Sequence, residues 1–261
     1  MSDSPFLRNL NPVQQEAVTA PDGPVLVLAG AGSGKTRVLT SRVAFLISEN
    51  RVDSRGILAL TFTNKAANEM KTRISRSINL TPNIWIGTFH SIFAKILRYE
   101  AESFGYTSDF VIYDSSDQKL LVKNIMNELD ISTKRFQPRA LASTISKLKN
   151  QMVTPDSFLK QVNSYFEEIT ARVYPVYENR LRQSNACDFD DLITLPIKLF
   201  DNKPAILEKY QQRFKHVLVD EYQDTNRAQY LLLKRLSAKD KNLFVVGDDD
   251  QSIYRWRGAD I

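Results

Sequence analysis

The chain has 261 residues, of which 43% are hydrophobic and 25% charged, an ordinary balance for a globular protein and not that of a disordered chain. Its one cysteine, Cys187, excludes an intramolecular disulfide, and we expect it to be a small buried hydrophobic residue. The 35 basic and 30 acidic residues give a net charge of +5, which permits a nucleic-acid partner without requiring one.

The first part of the chain alternates apolar runs with helical patterns. Apolar runs at 24–29, 57–63 and 84–89 predict three strands, and the first has the pattern of a strand buried on both faces of a parallel sheet. Between these runs, apolar residues recur at helical spacing, and Asn64 is the expected N-cap of the second helix. This alternation predicts an α/β domain with a parallel sheet flanked by helices.

From about Ser91 the pattern becomes mostly helical, and strands return only near the end, at 216–221 and 242–248. We therefore predict one α/β domain that is interrupted by a mostly helical insertion. The insertion contains a segment without acids, 131–155, which fits a solvated helix face or a surface for a polyanion. Its basic residues are Lys134, Arg135, Arg139, Lys147 and Lys149.

A glycine-rich segment, AGAGSGKT at 29–36, lies between the first predicted strand and the first helix. Gly-Lys-Thr at 34–36 fits the phosphate-binding loop pattern, whereas Ala29 stands where that pattern has glycine. Gly30 and Gly32 still allow the loop to curl, so its backbone N–H groups and the helix N-terminus can face a phosphate. The predicted nucleotide-binding residues of the loop are Ala29, Gly30, Ala31, Gly32, Ser33, Gly34, Lys35 and Thr36.

Two adjacent acids, Asp220 and Glu221, follow an apolar strand across the sheet from this loop. We expect Lys35 to contact the outer phosphates, while Thr36 and Asp220 hold Mg²⁺. Glu221 is then placed to polarise the attacking water. An acidic strand end that only caps the next helix would explain Asp224 but not this pair. The two motifs together predict a nucleoside triphosphatase.

Other polar segments follow strands, at the edge where open α/β sheets bind ligands. Gln14, just before the first strand, can contact an adenine edge through its amide. Asn64 and His90 follow the second and third strands, each near a threonine and an aromatic residue. The segment GDDDQSIYRWRG at 247–258 brings Gln251 to the phosphate side and interleaves aromatic residues with arginines, a composition suited to stacking on unpaired bases.

Each of these segments also has a purely structural interpretation. Phe62 and Phe89 fit a hydrophobic core, as aromatic residues after strands often do. His90 fits a helix cap. The acids of CDFDDL at 187–192 fit an N-cap with first-turn acids, which we favour over a metal site.

In their order along the chain and in their residues, these segments resemble the motifs of the superfamily 1 DNA helicases of the UvrD/Rep/PcrA type. The resemblance covers essentially the whole chain, and Ala29 is the family's usual residue at its position. The matching segments are LNPVQQEAV, AGAGSGKTR, TFTNKAA, GTFHS, DFDDL, VDEYQDTN and VGDDDQSIYRWRGA. The resemblance implies a P-loop NTPase of RecA-like fold at 1–90 and 188–261, interrupted by a helical domain at 91–187.

The resemblance also implies roles for single positions, with ATP and Mg²⁺ as cofactors. Arg37 would flank the base that Gln14 contacts, and Gln251 would sense the γ-phosphate and couple it to DNA. The catalytic positions would be Glu221, Lys35 and Gln251. The path of single-stranded DNA would be lined by Phe62, Thr63, Asn64, Thr88, His90, Tyr254, Trp256 and Arg257. The segment at 131–155 would lie near duplex DNA.

The function implied is that of an ATP-driven motor that moves along single-stranded DNA and separates duplexes, in DNA repair or replication, with single strands and duplex junctions as partners. Three alternatives stay open: a different kind of NTPase, a non-catalytic DNA-binding module, and the motor subunit of a helicase–nuclease complex. A GTPase would need a guanine-reading Asn/Lys-Xaa-Asp segment, and NKAA at 64–67 lacks the aspartate. The intact set Lys35, Asp220, Glu221 and Gln251 argues against a non-catalytic module.

The two ends of the chain carry expectations of their own. The N-terminus lacks a basic segment followed by an apolar run, and the longest apolar stretches are too short to span a bilayer, so we expect a cytoplasmic protein without membrane contact. In the family that the chain resembles, a second RecA-like domain follows the segment at 247–261. We expect that domain to be missing here, leaving an open half-site that hydrolyses ATP slowly and does not unwind DNA.

Overall fold

A computed structural model describes residues 6–30, 32–49, 52–78 and 83–248. The chain divides into two compact units, one formed by Met1–Ile92 with Phe200–Ile261 and the other by Phe93–Leu199. The second division comes at Leu199 and not at the expected Cys187. The reason is that Leu192 packs with Cys187 in a core cluster of the second unit.

The element bounds are as follows. The strands are β1 (Val25–Leu28), β2 (Ile57–Thr61), β3 (Trp85–Thr88), β4 (Val111–Tyr113), β5 (Ala186–Asp188), β6 (His216–Val219) and β7 (Leu243–Gly247). The helices are α1 (Pro12–Thr19), α2 (Lys35–Ser48), α3 (Asn64–Ile78), α4 (Phe89–Tyr99), α5 (Ser115–Glu128), α6 (Pro138–Asn150), α7 (Pro155–Leu159), α8 (Tyr165–Gln183), α9 (Asp191–Asn202), α10 (Pro204–Arg213) and α11 (Arg227–Leu236).

The first unit is built on a five-stranded sheet in the order β1-β7-β6-β2-β3, and all neighbouring strands in it are parallel. The predicted α/β architecture with a parallel sheet flanked by helices is therefore confirmed. Alternate strand residues pack with α2 and α3 in one core cluster, since side chains two apart share a face of the sheet. This cluster includes Val38, Leu39, Val43, Met70, Ile74, Ile57, Ala59, Leu218, Phe244 and Val246.

Strand β1 corrects one expectation, because it is not buried on both faces. Val25 and Val27 pack against the core cluster, whereas Leu26 and Leu28 are 58% and 57% exposed. Within the described residues the second face of β1 stays open, whereas β3, at the other end of the strand order, is buried on both faces. A continuous apolar run therefore marks the strand correctly but not its burial.

The second unit is mostly helical, as predicted, but it also contains a small sheet that the sequence did not predict. β4 and β5 pair in parallel, with Ile112 opposite Cys187. Cys187 is fully buried, as expected, and burial raises the pKa of its thiol to about 12. Every helix in the described ranges is too short or too polar to cross a bilayer.

A buried charge cluster holds four elements of the second unit together, α6, α8, β5 and α9. Lys149, at the end of α6, lies with its Nζ 2.7 Å from Asp191 Oδ1, 2.8 Å from Asp188 Oδ2 and 2.9 Å from Glu178 Oε1. Tyr177 donates a further hydrogen bond to Asp188 Oδ2 at 2.9 Å. Lys149 is therefore a buried residue and belongs neither to a solvated helix face nor to a surface that contacts DNA.

The acids of CDFDDL serve this cluster and begin α9. Asp188 Oδ1 accepts from the N–H of Asp191 at 2.8 Å, and Asp191 Oδ2 accepts from the N–H of Asp188 at 3.1 Å. This reciprocal pair is the geometry of a capping box. Asp191 is a first-turn acid of α9, as expected, whereas Asp188 lies three residues before that helix begins and is not its N-cap.

Candidate active site

The glycine-rich loop runs from the end of β1 into α2. Gly32 and Gly34 have φ of 71° and 86°, a left-handed conformation that side-chain-bearing residues rarely adopt. Gly34 is the N-cap of α2 and makes no side-chain cap hydrogen bond. The first N–H groups of α2 therefore depend on other acceptors, which is the property of a helix N-terminus that binds anions.

Lys35, the first residue of α2, is 9% exposed and lies along the loop backbone. Its Nζ donates to the carbonyl oxygens of Ala29 and Gly30 at 3.1 and 3.3 Å. The same Nζ forms an ion pair of 2.8 Å with Asp248 Oδ2, whose residue directly follows β7. Because β1 and β7 are neighbours, this pair joins the ends of two adjacent strands.

Thr36 and Asp220 meet at the same edge of the sheet. The hydroxyl of Thr36 donates to Asp220 Oδ2 at 3.2 Å, so α2 contacts the end of β6. Burial, helped by the charge of Glu221, raises the pKa of Asp220 to about 6. A buried carboxylate beside a hydroxyl is a set of hard oxygen donors, the kind that binds Mg²⁺.

Glu221 stands at a strained turn after β6. Its φ and ψ are 53° and 45°, in the left-handed region, where a residue other than glycine costs about 1–3 kcal/mol, a strain that is found more often at functional sites than elsewhere. Its Oε2 accepts a hydrogen bond of 2.8 Å from Nε2 of the buried Gln223. The Oε1 of Gln223 in turn accepts from the N–H of Asp248 at 3.0 Å.

Gln14 lies beside the loop, where the predicted adenine contact would require it. It forms a capping box with Asn11 at the start of α1, and its Nε2 donates to the carbonyl of Ser33 at 2.7 Å. Arg37 lies on the exposed side of α2, and its guanidinium is 3.5 Å from the carbonyl oxygen of Asn9. The structure thus brings both predicted base contacts to the loop.

The residues predicted to contact DNA after β2 and β3 also come to this edge, since Thr61 and Thr88 are register partners in the sheet. Thr63 is the N-cap of α3, because its Oγ1 accepts from the N–H of Ala66 at 3.1 Å. The expectation that Asn64 caps α3 is therefore wrong by one residue, and Asn64 is the first helical residue.

Thr88 caps α4 in the same way, its Oγ1 accepting from the N–H of Ser91 at 3.1 Å. The capping interpretation of His90 is therefore wrong. His90 is half-buried in the first turn of that helix. Phe89 belongs to the core, whereas Phe62 is half-buried, with its ring centroid 5.6 Å from that of Phe89.

Five predicted residues lie outside the described residues: Ala31, Gln251, Tyr254, Trp256 and Arg257. Two residues that the sequence analysis did not select, Gln223 and Asp248, contact Glu221 and Lys35 directly. Both stand in segments already recognised, VDEYQD and GDDDQ. For Asp248 the available signal was its position directly after a buried strand, whereas Gln223 lies in the turn Tyr222–Asp224 and gives no such signal.

The loop, with Lys35 and Thr36 facing Asp220 across the sheet edge, defines a P-loop nucleotide-binding domain. The chain belongs to the family described as UvrD/REP helicase N-terminal domain, whose model matches residues 10–261. It is 51% identical over 257 residues to the ATP-dependent DNA helicase PcrA of Bacillus subtilis. The identity to proteins of that name is 50% for Staphylococcus epidermidis and 49% for Staphylococcus aureus. Each match covers 98% of this chain and 35% of the relative, so the chain spans about a third of these relatives' length.

Proposed function

We propose that this chain is the ATP-binding part of an ATP-dependent DNA helicase, a motor that couples ATP hydrolysis to movement along single-stranded DNA and to unwinding. Membership of the UvrD/REP family and the names of the relatives support this function. The observation that carries it is the hydrogen bond between Thr36 and Asp220 beside the buried Lys35. We further propose a role in DNA repair or replication, in the cytoplasm.

The residues of the loop fit a nucleoside triphosphate and Mg²⁺. Lys35 would hold the outer phosphates, and the N–H groups at the start of α2 would contact phosphate oxygens. Thr36 and Asp220 would hold Mg²⁺, which supplies positive charge against the β- and γ-phosphates. The described residues contain no group of three or more His, Cys, Asp or Glu side chains placed for a metal. Water and phosphate oxygens would therefore complete the coordination.

Glu221 would act as the base for hydrolysis. The oxygen of a water molecule bonds to the γ-phosphorus, and the proton of that water goes to the Glu221 carboxylate. The bond between the γ-phosphorus and the bridging oxygen breaks, and ADP leaves with its electron pair. The half-buried position of Glu221, one residue from Asp220, supports this assignment.

Gln14 would contribute adenine specificity. Its amide uses one N–H for Ser33 and one oxygen lone pair for the N–H of Asn11. One N–H and one lone pair remain, which is the pattern that pairs with an adenine edge. We propose that Arg37 packs beside the same base.

Single-stranded DNA would cross the carboxyl ends of β2 and β3. Thr63 and Asn64 are exposed there, and Phe62 and His90 are half-buried. Aromatic rings and polar side chains in such a row suit stacking with bases and contacts with phosphates. Thr88, Tyr254, Trp256 and Arg257 stay predictions for the same path, and Gln251 stays a prediction for coupling to the γ-phosphate.

The test is ATP hydrolysis by this chain with and without single-stranded DNA, measured under single-turnover conditions so that slow rates are visible. Lys35→Ala should lower the rate by about 10²–10³-fold. Glu221→Gln should bind ATP as tightly as the wild type and not hydrolyse it. Absence of ATP binding by calorimetry, or normal hydrolysis by Glu221→Gln, would contradict the proposal.

A further inference from the structure

Gln223 connects the carboxylate of Glu221 with the end of β7. Its Nε2 donates to Glu221 Oε2 at 2.8 Å, and its Oε1 accepts from the N–H of Asp248 at 3.0 Å. The side chain of Asp248 is paired with Lys35 at 2.8 Å. A continuous chain of contacts therefore runs from the loop lysine through Asp248 and Gln223 to Glu221.

The chemistry of this chain of contacts requires an amide at position 223. The N–H of Asp248 needs an acceptor and the carboxylate of Glu221 needs a donor, and an amide supplies one of each. A glutamate would keep the acceptor and lose the donor. An asparagine is one methylene shorter than glutamine.

The backbone around Gln223 is built for this close approach. A Cβ placed on Gly247 would lie 3.1 Å from Gln223 Oε1 and 3.5 Å from its backbone nitrogen. A side chain at position 247 would therefore press on the amide. Gln223 is 4% exposed, so its orientation is set by these neighbours and not by solvent.

We infer that Gln223 is a positioning residue that holds Glu221 for hydrolysis and ties its position to Asp248 and Lys35. The inference rests on the proposed function, in which Glu221 is the base. The backbone of Glu221 is held in a left-handed conformation, but this does not fix the orientation of its side chain. The hydrogen bond from the Gln223 amide restricts the carboxylate to one position. A shift of the P-loop lysine would reach Glu221 through the same contacts.

The first experiment measures the contact without any nucleotide. In ¹⁵N-labelled protein, the N–H of Asp248 should be protected from hydrogen exchange, and Gln223→Met should remove this protection. Gln223→Glu should keep it, because a carboxylate oxygen still accepts. Unchanged protection in Gln223→Met would overturn the inference.

The second experiment separates ATP binding from hydrolysis. Gln223→Met and Gln223→Glu should both lower the single-turnover rate by about 10²-fold, the cost of a misplaced reacting group, with ATP affinity unchanged. Gln229→Met is the matched control, since Gln229 is also a buried glutamine bonded to a backbone N–H, that of Asn226. The control variant should be less stable than the wild type but should hydrolyse ATP at the same single-turnover rate. Thermal unfolding of each variant shows which loss is structural.

The outcomes distinguish the positioning role of Gln223 from the proposed function, in which Glu221 is the base. Normal hydrolysis by Gln223→Glu, with Glu221→Gln inactive, would overturn the positioning role and leave the proposed function standing. Normal hydrolysis by Glu221→Gln would overturn the proposed function, while the exchange measurement still decides whether Gln223 holds Asp248. Gly247→Ala gives an independent check, because it displaces the amide without changing it and should also lower the rate.

Discussion

Replacing Lys149 by methionine should destabilise the second unit strongly, although the new side chain has a similar length. Its Nζ contacts Asp188, Asp191 and Glu178, whose side chains are 2%, 4% and 25% exposed. Removing the cation leaves these carboxylates buried without their partner. Breaking a buried ion pair in this way costs about 3–5 kcal/mol. With a urea m value of about 2 kcal/mol/M, the midpoint of unfolding should fall by about 1.5–2.5 M.

The assay is urea unfolding followed by far-ultraviolet circular dichroism, which reports the helices of both units. Both tryptophans, Trp85 and Trp256, lie outside Phe93–Leu199, so tryptophan fluorescence follows the first unit separately. Lys147→Met is the matched control, because Lys147 is on the same helix and is exposed. Its effect should stay within about 0.5 kcal/mol, as for most surface substitutions.

A second set of variants tests the cause of the loss. Adding Asp188→Asn and Asp191→Asn to Lys149→Met removes two of the stranded charges and should restore part of the lost stability. Equal unfolding midpoints for Lys149→Met and Lys147→Met would refute the reasoning. So would a combined variant that is less stable than Lys149→Met alone, because stranded charge would then not be the cause.

Three further predictions concern pH, the adenine contact and the path of single-stranded DNA. The first unit should lose stability as pH rises from about 4 to about 6, because burial and the charge of Glu221 raise the pKa of Asp220 to about 6 and the folded unit therefore holds a proton that the unfolded chain releases; urea unfolding followed by tryptophan fluorescence across that range would show a flat profile if this is wrong. Gln14→Ala should cost about 1 kcal/mol of stability, because the side-chain hydrogen bonds of Gln14 to Asn11 and Ser33 are lost, and should remove the preference for ATP over GTP in calorimetric titrations; a retained preference would exclude Gln14 as the adenine contact. Trp256→Ala should weaken single-stranded DNA binding by about 1–3 kcal/mol at low salt, and an unchanged affinity would place Trp256 outside the DNA path.

The strands of the first unit could be predicted from the sequence because each is a continuous apolar run beside a turn signal. The phosphate-binding loop could also be predicted, because its backbone needs glycine at the positions with positive φ, and these glycines are visible in the sequence. The exposure of Leu26 and Leu28 could not be predicted. It depends on which elements pack against each face of β1, and that packing joins segments that are far apart in the chain.

Pairings between short segments that are far apart in the chain also could not be predicted from residue patterns. β4 and β5 have three residues each and join 111–113 to 186–188, so neither gives a periodic signal of its own. Lys149 looked like part of a basic surface because its carboxylate partners stand about 30–40 residues later in the chain. Gln223 was overlooked because its role depends on an N–H of the backbone, which leaves no trace in residue types.

The interleaved order of the sheet has a consequence for synthesis of the chain. β1 pairs with β7, and residues 29–242 separate the two strands. At about 5–20 residues per second, a ribosome needs about 10–40 s to make that stretch. During this time β1 exists without its neighbour, and its leucines are open to chaperones or to other nascent chains. The contiguous second unit can fold first, so the unit that begins the chain is the one completed last.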